Sequence, residues 1–277
     1  MKKVFLALGF LALCKSSHML AWVNTAGAHN DKTIVGISQA QGLRNSMEDA
    51  HYVECNDTFA FFGLYDGHGG PLVANFAAQN LHKNVRITDI YSIPGKLHEA
   101  FVKTHGELDS LTLGQGCTAL VACIHHDILF IANAGDSRAV LCNNGVAIPL
   151  SIDHKPDRCD ERKRIELLGG IVTTYFSDAP RVNGQLAVSR ALGDKALNPF
   201  VIPDPEITQR KLTHDDEFLI LACDGVWDVI ENQQAIDTIK SSLARGYNCQ
   251  EAADALKDQA LVRGSTDNIS VIIVNLK

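Results

Sequence analysis

The sequence predicts an α+β domain in four layers, with two antiparallel sheets packed face to face and helices on the outer surfaces. Short apolar runs of strand character alternate with turn signals from residue 34 to the end, and helical patterns are inserted among them in pairs. The links His125-His126-Asp127 and Asn143-Asn144-Gly145 are tight turns between adjacent antiparallel strands.

Residues 34–40, 51–55 and 58–65 read as strands joined by short polar links. A helix follows over 71–85, where Pro71 suits the first turn and Leu72, Phe76 and Leu81 lie near one face. A second helix over 95–108 turns Leu97, Phe101 and Leu108 inward. Strands come next at 117–124, 128–132, 139–142 and 146–150, then a short helix over 160–168 closed by Gly169-Gly170. The last strands fall at 171–175, 206–210, 217–223 and 269–275, with helices at 233–245 and 250–262 between the final two. Packing the sheets on each other with the helices outside buries both kinds of element.

At 277 residues the chain is long enough for one large core, and residues 34–277 read as one domain. A formal net charge of −7 argues against a nucleic-acid partner, and the short basic run Arg162-Lys163-Arg164 is flanked by Glu161 and Glu166. Of the eight cysteines, none forms a C-x-x-C pair. Cys117, Cys123, Cys142 and Cys223 lie in or beside apolar runs, as buried reduced thiols do, so neither a disulfide framework nor a zinc site is expected.

Residues 1–28 form a candidate signal or leader segment, and 29–33 a linker. Lys2 and Lys3 precede an apolar stretch over 4–13, and Ala26-Gly27-Ala28 offers a small-residue cleavage site. That stretch is about half of the roughly 20 residues a membrane-spanning helix needs. The alternative is an apolar element docked on the domain, so export and a cytoplasmic location both stay open.

The chemistry-bearing residues share one local form, a carboxylate in a turn where an apolar strand ends. They are Glu48 and Asp49, Asp66 before Gly67, Asp224 before Gly225, and Asp267 just ahead of the closing strand. Taken singly, each is a turn-former or a helix cap. Together they point to hard divalent cations, because an acid at a strand end is costly to bury unpaired and Mg2+ or Mn2+ prefers carboxylate, carbonyl and water oxygens. Two such ions roughly 3.5–4 Å apart turn water into a nucleophile at neutral pH.

The blocks RNSMEDAH (44–51), GLYDGHGG (63–70), GCTALVAC (116–123), IANAGDSRAVL (131–141), DHKP (153–156), RVNGQLAVSRALGD (181–194), IPDPEI (202–207), LACDGVWDV (221–229) and GSTDNISVI (264–272) stand in one order along the chain. In that order they resemble the metal-dependent protein phosphatases, the PPM or type 2C family. The resemblance implies a protein serine/threonine phosphatase with a binuclear Mg2+ or Mn2+ centre, acting on phosphoproteins as a monomer. It gives Asp66 as the carboxylate bridging both ions and Gly67 as a carbonyl ligand. Asp224 and Asp267 become ligands of the other ion, and Glu48 and Asp49 acids that hold metal-bound waters or complete the second ion's shell. Arg44 matches the arginine that contacts the substrate phosphate, and His68 the general acid for the leaving oxygen. Asp136 and Asp228 match acids associated with a third, weakly held ion. The residues between Leu168 and Arg181 match the family's variable flap and are few here.

Two other readings compete: a catalytically dead relative that only binds partners, and another two-metal hydrolase such as a nuclease. The complete set of acids opposes the first, and the acidic composition opposes the second. Outside the blocks' named roles, Arg190 reads either as a contact to the flap or substrate or as the partner of a nearby acid. His154 is expected to support the site through hydrogen bonds. His98, His105, His125 and His126 read as solvated or turn residues, and Trp227 as core. Cleavage of the leader predicts a mature chain starting near His29 when its N-terminus is sequenced from native cells, whereas a start at Met1 or Lys2 means retention.

Overall fold

The computed structural model describes residues 34–56, 59–85, 89–108, 114–175 and 179–277. The leader, the linker, Cys14 and the first residue of the expected strand at 58–65 lie outside them.

The first strands are β1 (Val35–Ala40), β2 (Ala50–Cys55), β3 (Phe59–Tyr65) and β4 (Gly67–His68). Helices α1 (Leu72–Asn84) and α2 (Ile93–Glu107) follow. Then come β5 (Gly116–Cys117), β6 (Ala119–His125), β7 (Ile128–Ala134), β8 (Arg138–Asn143) and β9 (Val146–Pro149). Helix α3 (Cys159–Leu167) leads to β10 (Val172–Thr173), β11 (Arg181–Val182), β12 (Leu192–Gly193), β13 (Glu206–Lys211) and β14 (Asp216–Ala222). Helices α4 (Asp224–Trp227), α5 (Asn232–Ala244) and α6 (Cys249–Val262) precede the closing strand β15 (Ile269–Asn275).

Two five-stranded antiparallel sheets form the centre, in the orders β1-β15-β14-β8-β9 and β13-β7-β6-β3-β2. Alternation along each strand sends neighbouring side chains to opposite faces. In β3, Phe62 and Leu64 point between the sheets with Leu120, Ile131, Leu141, Leu219 and Ile272. Phe61 and Tyr65 of the same strand face α1 and α2, meeting Ala77, Leu81, Leu97 and Phe101. On the other sheet Ile220 and Ile273 face α5 and α6, meeting Ile236, Ile239, Ala253 and Leu256. The central strands are therefore apolar at almost every position, because both faces of each sheet are covered. This is the α-β-β-α order expected from sequence.

Local signals explain the boundaries. The Asn144-Gly145 turn carries left-handed φ values of 50° and 81°, as a tight hairpin link requires. Helix α6 starts at a reciprocal cap: Asn248 Oδ1 accepts the Glu251 N–H at 3.0 Å and the Glu251 carboxylate accepts the Asn248 N–H at 2.8 Å.

Two expectations need correction. Leu72 is 51% exposed, and the buried stripe of α1 is Val73, Ala74, Ala77, Ala78 and Leu81. Its alanines let the helix lie close on the sheet, which leaves the bulkier Leu72 outside. The strand expected at 171–175 is only Val172–Thr173 and pairs with β11 in a separate two-stranded ribbon, so Ile171 and Tyr175 stay exposed. Their apolar character has no sheet behind it.

Cys117, Cys123, Cys142 and Cys223 are buried free thiols, and among the described residues no helix is long and apolar enough to cross a membrane.

Where the chain enters and leaves this frame, the Asn275 N–H donates to the Ile34 carbonyl at 2.8 Å. Val35 pairs with Val274 at that end, and Ala40 pairs with Ile269 at the other.

Leu141 is fully buried between the sheets, so Leu141→Ala is expected to cost about 2–5 kcal/mol in urea unfolding. Val262→Ala, at an exposed site on α6, is expected to change stability by less than about 0.5 kcal/mol.

Candidate active site

The acids meet at one end of the sandwich, which strand register makes common to both sheets. Ala50 pairs with Tyr65, so the residues before β2 and after β3 are neighbours. Ala222 pairs with Val271 and with Arg138, which brings the end of β14, the start of β15 and the start of β8 together on the other sheet. Asp136 lies in the link from β7 to β8, where the chain passes between the two sheets.

A cleft of about 430 Å3 opens there, lined by Arg44, Glu48, Asp66, Gly67, His68, Asp136, Asp224 and Asp267. Eight of the ten residues expected at the site thus share one hollow. Asp49 lies just behind it, beneath Asp66, and borders a second hollow beside Gln39 and His51. Asp228 is exposed and outside this lining; burial is the main cause raising its carboxyl, with Lys155 opposing and Asp136 adding to the shift.

The backbone fixes these groups. Asp66 donates its N–H to Thr118 Oγ1 at 3.2 Å and its carbonyl accepts the Thr118 N–H at 2.8 Å. Gly67 has no room for a side chain, since a Cβ there would come within 2.3 Å of the Glu48 carbonyl oxygen. The Glu48 carboxylate accepts from Ser46 Oγ at 2.7 Å and from the Gly70 N–H at 2.9 Å, tying the first acidic loop to the turn after Asp66. Arg44 reaches across the mouth of the cleft, with Nη2 2.6 Å from Asp267 Oδ2.

The charge arrangement is unfavourable as it stands. Burial is the main cause raising Asp66 well above the ordinary carboxylate range, and the charges of Asp49, Asp224, Asp136 and Asp267 push it further. Asp224 is raised well above the usual range by burial and by Asp136, with the nearby Lys155 partly opposing. Asp49 is raised to about 6, again chiefly by burial, with opposition from its hydrogen bond to Ser270. Its Oδ2 accepts from Ser270 Oγ at 2.7 Å, while Oδ1 is buried with no hydrogen-bond partner.

Such acids, left short of positive charge at the floor of an open hollow, fit divalent cations. Among the described residues no three His, Cys, Asp or Glu side chains close on one point.

Four residues given no role from sequence matter here. Asn268 Oδ1 accepts the Glu48 N–H at 2.8 Å, and its Nδ2 donates to the carbonyls of Gln41 and Ser46, so it holds the first acidic loop in shape. Lys155 is ion-paired with Asp136. Asp194 lies 2.7 Å from His68. Arg181 lines the cleft from the flap side. The signal was available for all four: Asn268 follows Asp267 directly, Lys155 lies in DHKP, and Arg181 and Asp194 open and close RVNGQLAVSRALGD.

Arg190 pairs with Glu161 at 2.6 Å, which decides for the acid partner over a flap contact. His154 is fully buried and hydrogen-bonds the Gly135 backbone beside Asp136, as expected of a supporting residue. His98 is exposed and lies 2.9 Å from Asp204, while His105 is half-buried on α2.

A family model described as protein phosphatase 2C matches residues 34–269, a range that contains every residue of the cleft. The chain belongs to the protein phosphatase 2C family. By class it is a phosphoprotein phosphatase, a hydrolase. Similar proteins include "Probable protein phosphatase 2C 45" of Oryza sativa subsp. japonica, 41% identical over 256 residues that cover 89% of each chain. "Probable protein phosphatase 2C 59" of Arabidopsis thaliana is 40% identical over 257 residues, covering 89% of this chain and 81% of its own. Among solved structures, a C. elegans sex determining protein superposes with a TM-score of 0.80 at 26% identity, over 88% of this chain and 64% of that one. A serine-threonine phosphatase 2C from Toxoplasma gondii shares the fold, with a TM-score of 0.75 at 24% identity over 88% and 94% of the two chains.

A carboxyl whose pKa is raised by folding favours the folded state while protonated, and that contribution is lost as pH rises through the folded value. With Asp49 lifted from 3.8 to about 6 and Asp66 and Asp224 also raised well above the usual range, these carboxyls are expected to withdraw thermal stability from the protein in EDTA as pH climbs from about 4 through 6. Asp66→Asn is expected to flatten that slope. Buried His154, lowered to about 4, adds stability with rising pH over the same range, so scanning calorimetry compares the two proteins, and equal slopes in both would contradict the cluster.

Proposed function

We propose that this protein is a Mg2+- or Mn2+-dependent protein serine/threonine phosphatase that hydrolyses phosphoserine and phosphothreonine in proteins. The supporting observation is the concentration of buried, mutually repelling carboxylates on one cleft floor, with Asp66 at its centre. Asp66, Gly67, Asp224 and Asp267 would hold two ions, with Glu48 and Asp49 supporting them through water or as further ligands. Asp136 and Asp228 would serve a third, weakly held ion. When bound, the ions supply an activated water and offset charge on the phosphoryl oxygens.

The chain's own side chains do the rest. Arg44 at the mouth carries a planar guanidinium suited to two phosphate oxygens at once. Its reach to Asp267 supports this role, because the group already extends over the cleft. His68 stands at the wall where a leaving serine or threonine oxygen would need a proton. Glu48 and Asn268 keep the Arg44 loop in register with the Asp66 turn, so the phosphate is met from both sides.

With p-nitrophenyl phosphate or a phosphothreonine peptide, turnover is expected only when Mg2+ or Mn2+ is added. Asp66→Asn or Asp224→Asn is expected to reduce it by about 100-fold or more while circular dichroism stays native. Full activity in EDTA would overturn the metal reading.

A further inference from the structure

Strands β4, β5 and β12 form a three-stranded sheet apart from the two large ones, in the order β12-β5-β4. Its middle strand puts Gly116 opposite His68 on one side and opposite Gly193 on the other. Asp194, directly after Gly193, turns back across Gly116, so that its Oδ2 lies 2.7 Å from His68 Nε2. A side chain at position 116 cannot coexist with this pair: a Cβ would come 1.9 Å from Asp194 Oδ2 and 2.4 Å from His68 Nε2.

Asp194 is placed with care. Its backbone adopts a left-handed φ of 49°, a region that costs most residues free energy but that aspartate and asparagine tolerate better. Two backbone hydrogen bonds hold it there: its N–H donates to Gln115 at 3.0 Å, and its carbonyl accepts from Leu197 at 2.8 Å. Its side chain is 7% exposed against 27% for that of His68, so the carboxylate is enclosed while the imidazole opens to the cleft.

We propose that Asp194 is the positioning residue for His68. The inference rests on the reading of His68 as the acid for the leaving group. A carboxylate only accepts hydrogen bonds, so it fixes a proton on Nε2 and leaves Nδ1 as the nitrogen that serves the cleft. In the step, water forms the new P–O bond while the bond from phosphorus to the serine or threonine oxygen breaks. The electron pair of the broken bond stays on that oxygen, which takes the Nδ1 proton to become a hydroxyl. The ring is left neutral with its Nε2–H still directed at Asp194.

The test compares kcat for a phosphothreonine peptide, whose leaving group needs a proton, with kcat for p-nitrophenyl phosphate, whose leaving group hardly does. His68→Gln is expected to lower the peptide-to-nitrophenyl ratio by roughly 100-fold. Asp194→Asn keeps the size and tolerates the left-handed backbone, and is expected to lower the same ratio by about 10-fold or more, with a smaller effect on the peptide KM. Gly116→Ala, whose methyl wedges the pair apart while both side chains keep their identity, is expected to move the ratio in the same direction. In the His68→Gln background, Asp194→Asn is expected to lower the ratio no further, since the two act as one unit.

An unchanged ratio in His68→Gln overturns the acid reading and this inference with it. A split in His68→Gln but an equal loss on both substrates, or none, in Asp194→Asn and Gly116→Ala overturns the role of Asp194 alone. So does a full additional loss of the ratio in the double variant.

Discussion

Mutual repulsion among buried carboxylates is the constraint on which the rest of this molecule depends. Burial and the neighbouring charges of Asp49, Asp136 and Asp267 raise the free energy of ionised Asp66 and Asp224, while Asp136 and Asp267 each have a basic partner, Lys155 and Arg44. Such a group persists only if something rigid holds it. Here that is the pair of sheets, whose central strands are apolar on both faces and cannot slide without exposing one of them. The stability stored in the layers thus offsets the strain gathered at their common end.

The supporting hydrogen bonds follow the same logic. Thr118 clamps Asp66 through the backbone, Asn268 shapes the loop that carries Glu48, and Ser270 satisfies one oxygen of Asp49. Each of these neutral groups lies on or beside a strand, so the site inherits its precision from the sheets. Lys155 is different in kind: its ammonium pairs with Asp136 and also lowers the cost of charge at Asp224. The cluster therefore carries cations of its own at its flanks, Lys155 against Asp136 and Arg44 against Asp267, with Asp66 between them.

The layers were legible in the sequence because burial on both faces leaves a plain mark. Runs such as Phe59–Tyr65 and Ile269–Asn275 are apolar almost throughout, and the Asn144-Gly145 turn announces its hairpin. The strand-end acids were legible because each stands at such a boundary. What the sequence did not disclose is pairing across long separations. Asp194 meets His68 over 126 positions only because a three-stranded sheet folds back on Gly116, and no local period encodes that. The misplaced face of α1 has a related cause: its contact runs through alanines, whose value lies in how closely they let a helix approach, while pattern reading weights the larger Leu72. In the flap, Ile171 and Tyr175 look like a strand by composition but lack a neighbouring sheet to make one.

The hydrogen bond from Asn275 to Ile34 joins the two extremities of the domain side by side, at the pole away from the acidic mouth. Val35 and Asn275 therefore stand at the opposite end of the sandwich from the strand ends that carry the acids. The same adjacency makes the architecture a natural insertion cassette: a host protein could accept it in a surface loop, with both junctions a few ångströms apart and the catalytic front turned outward.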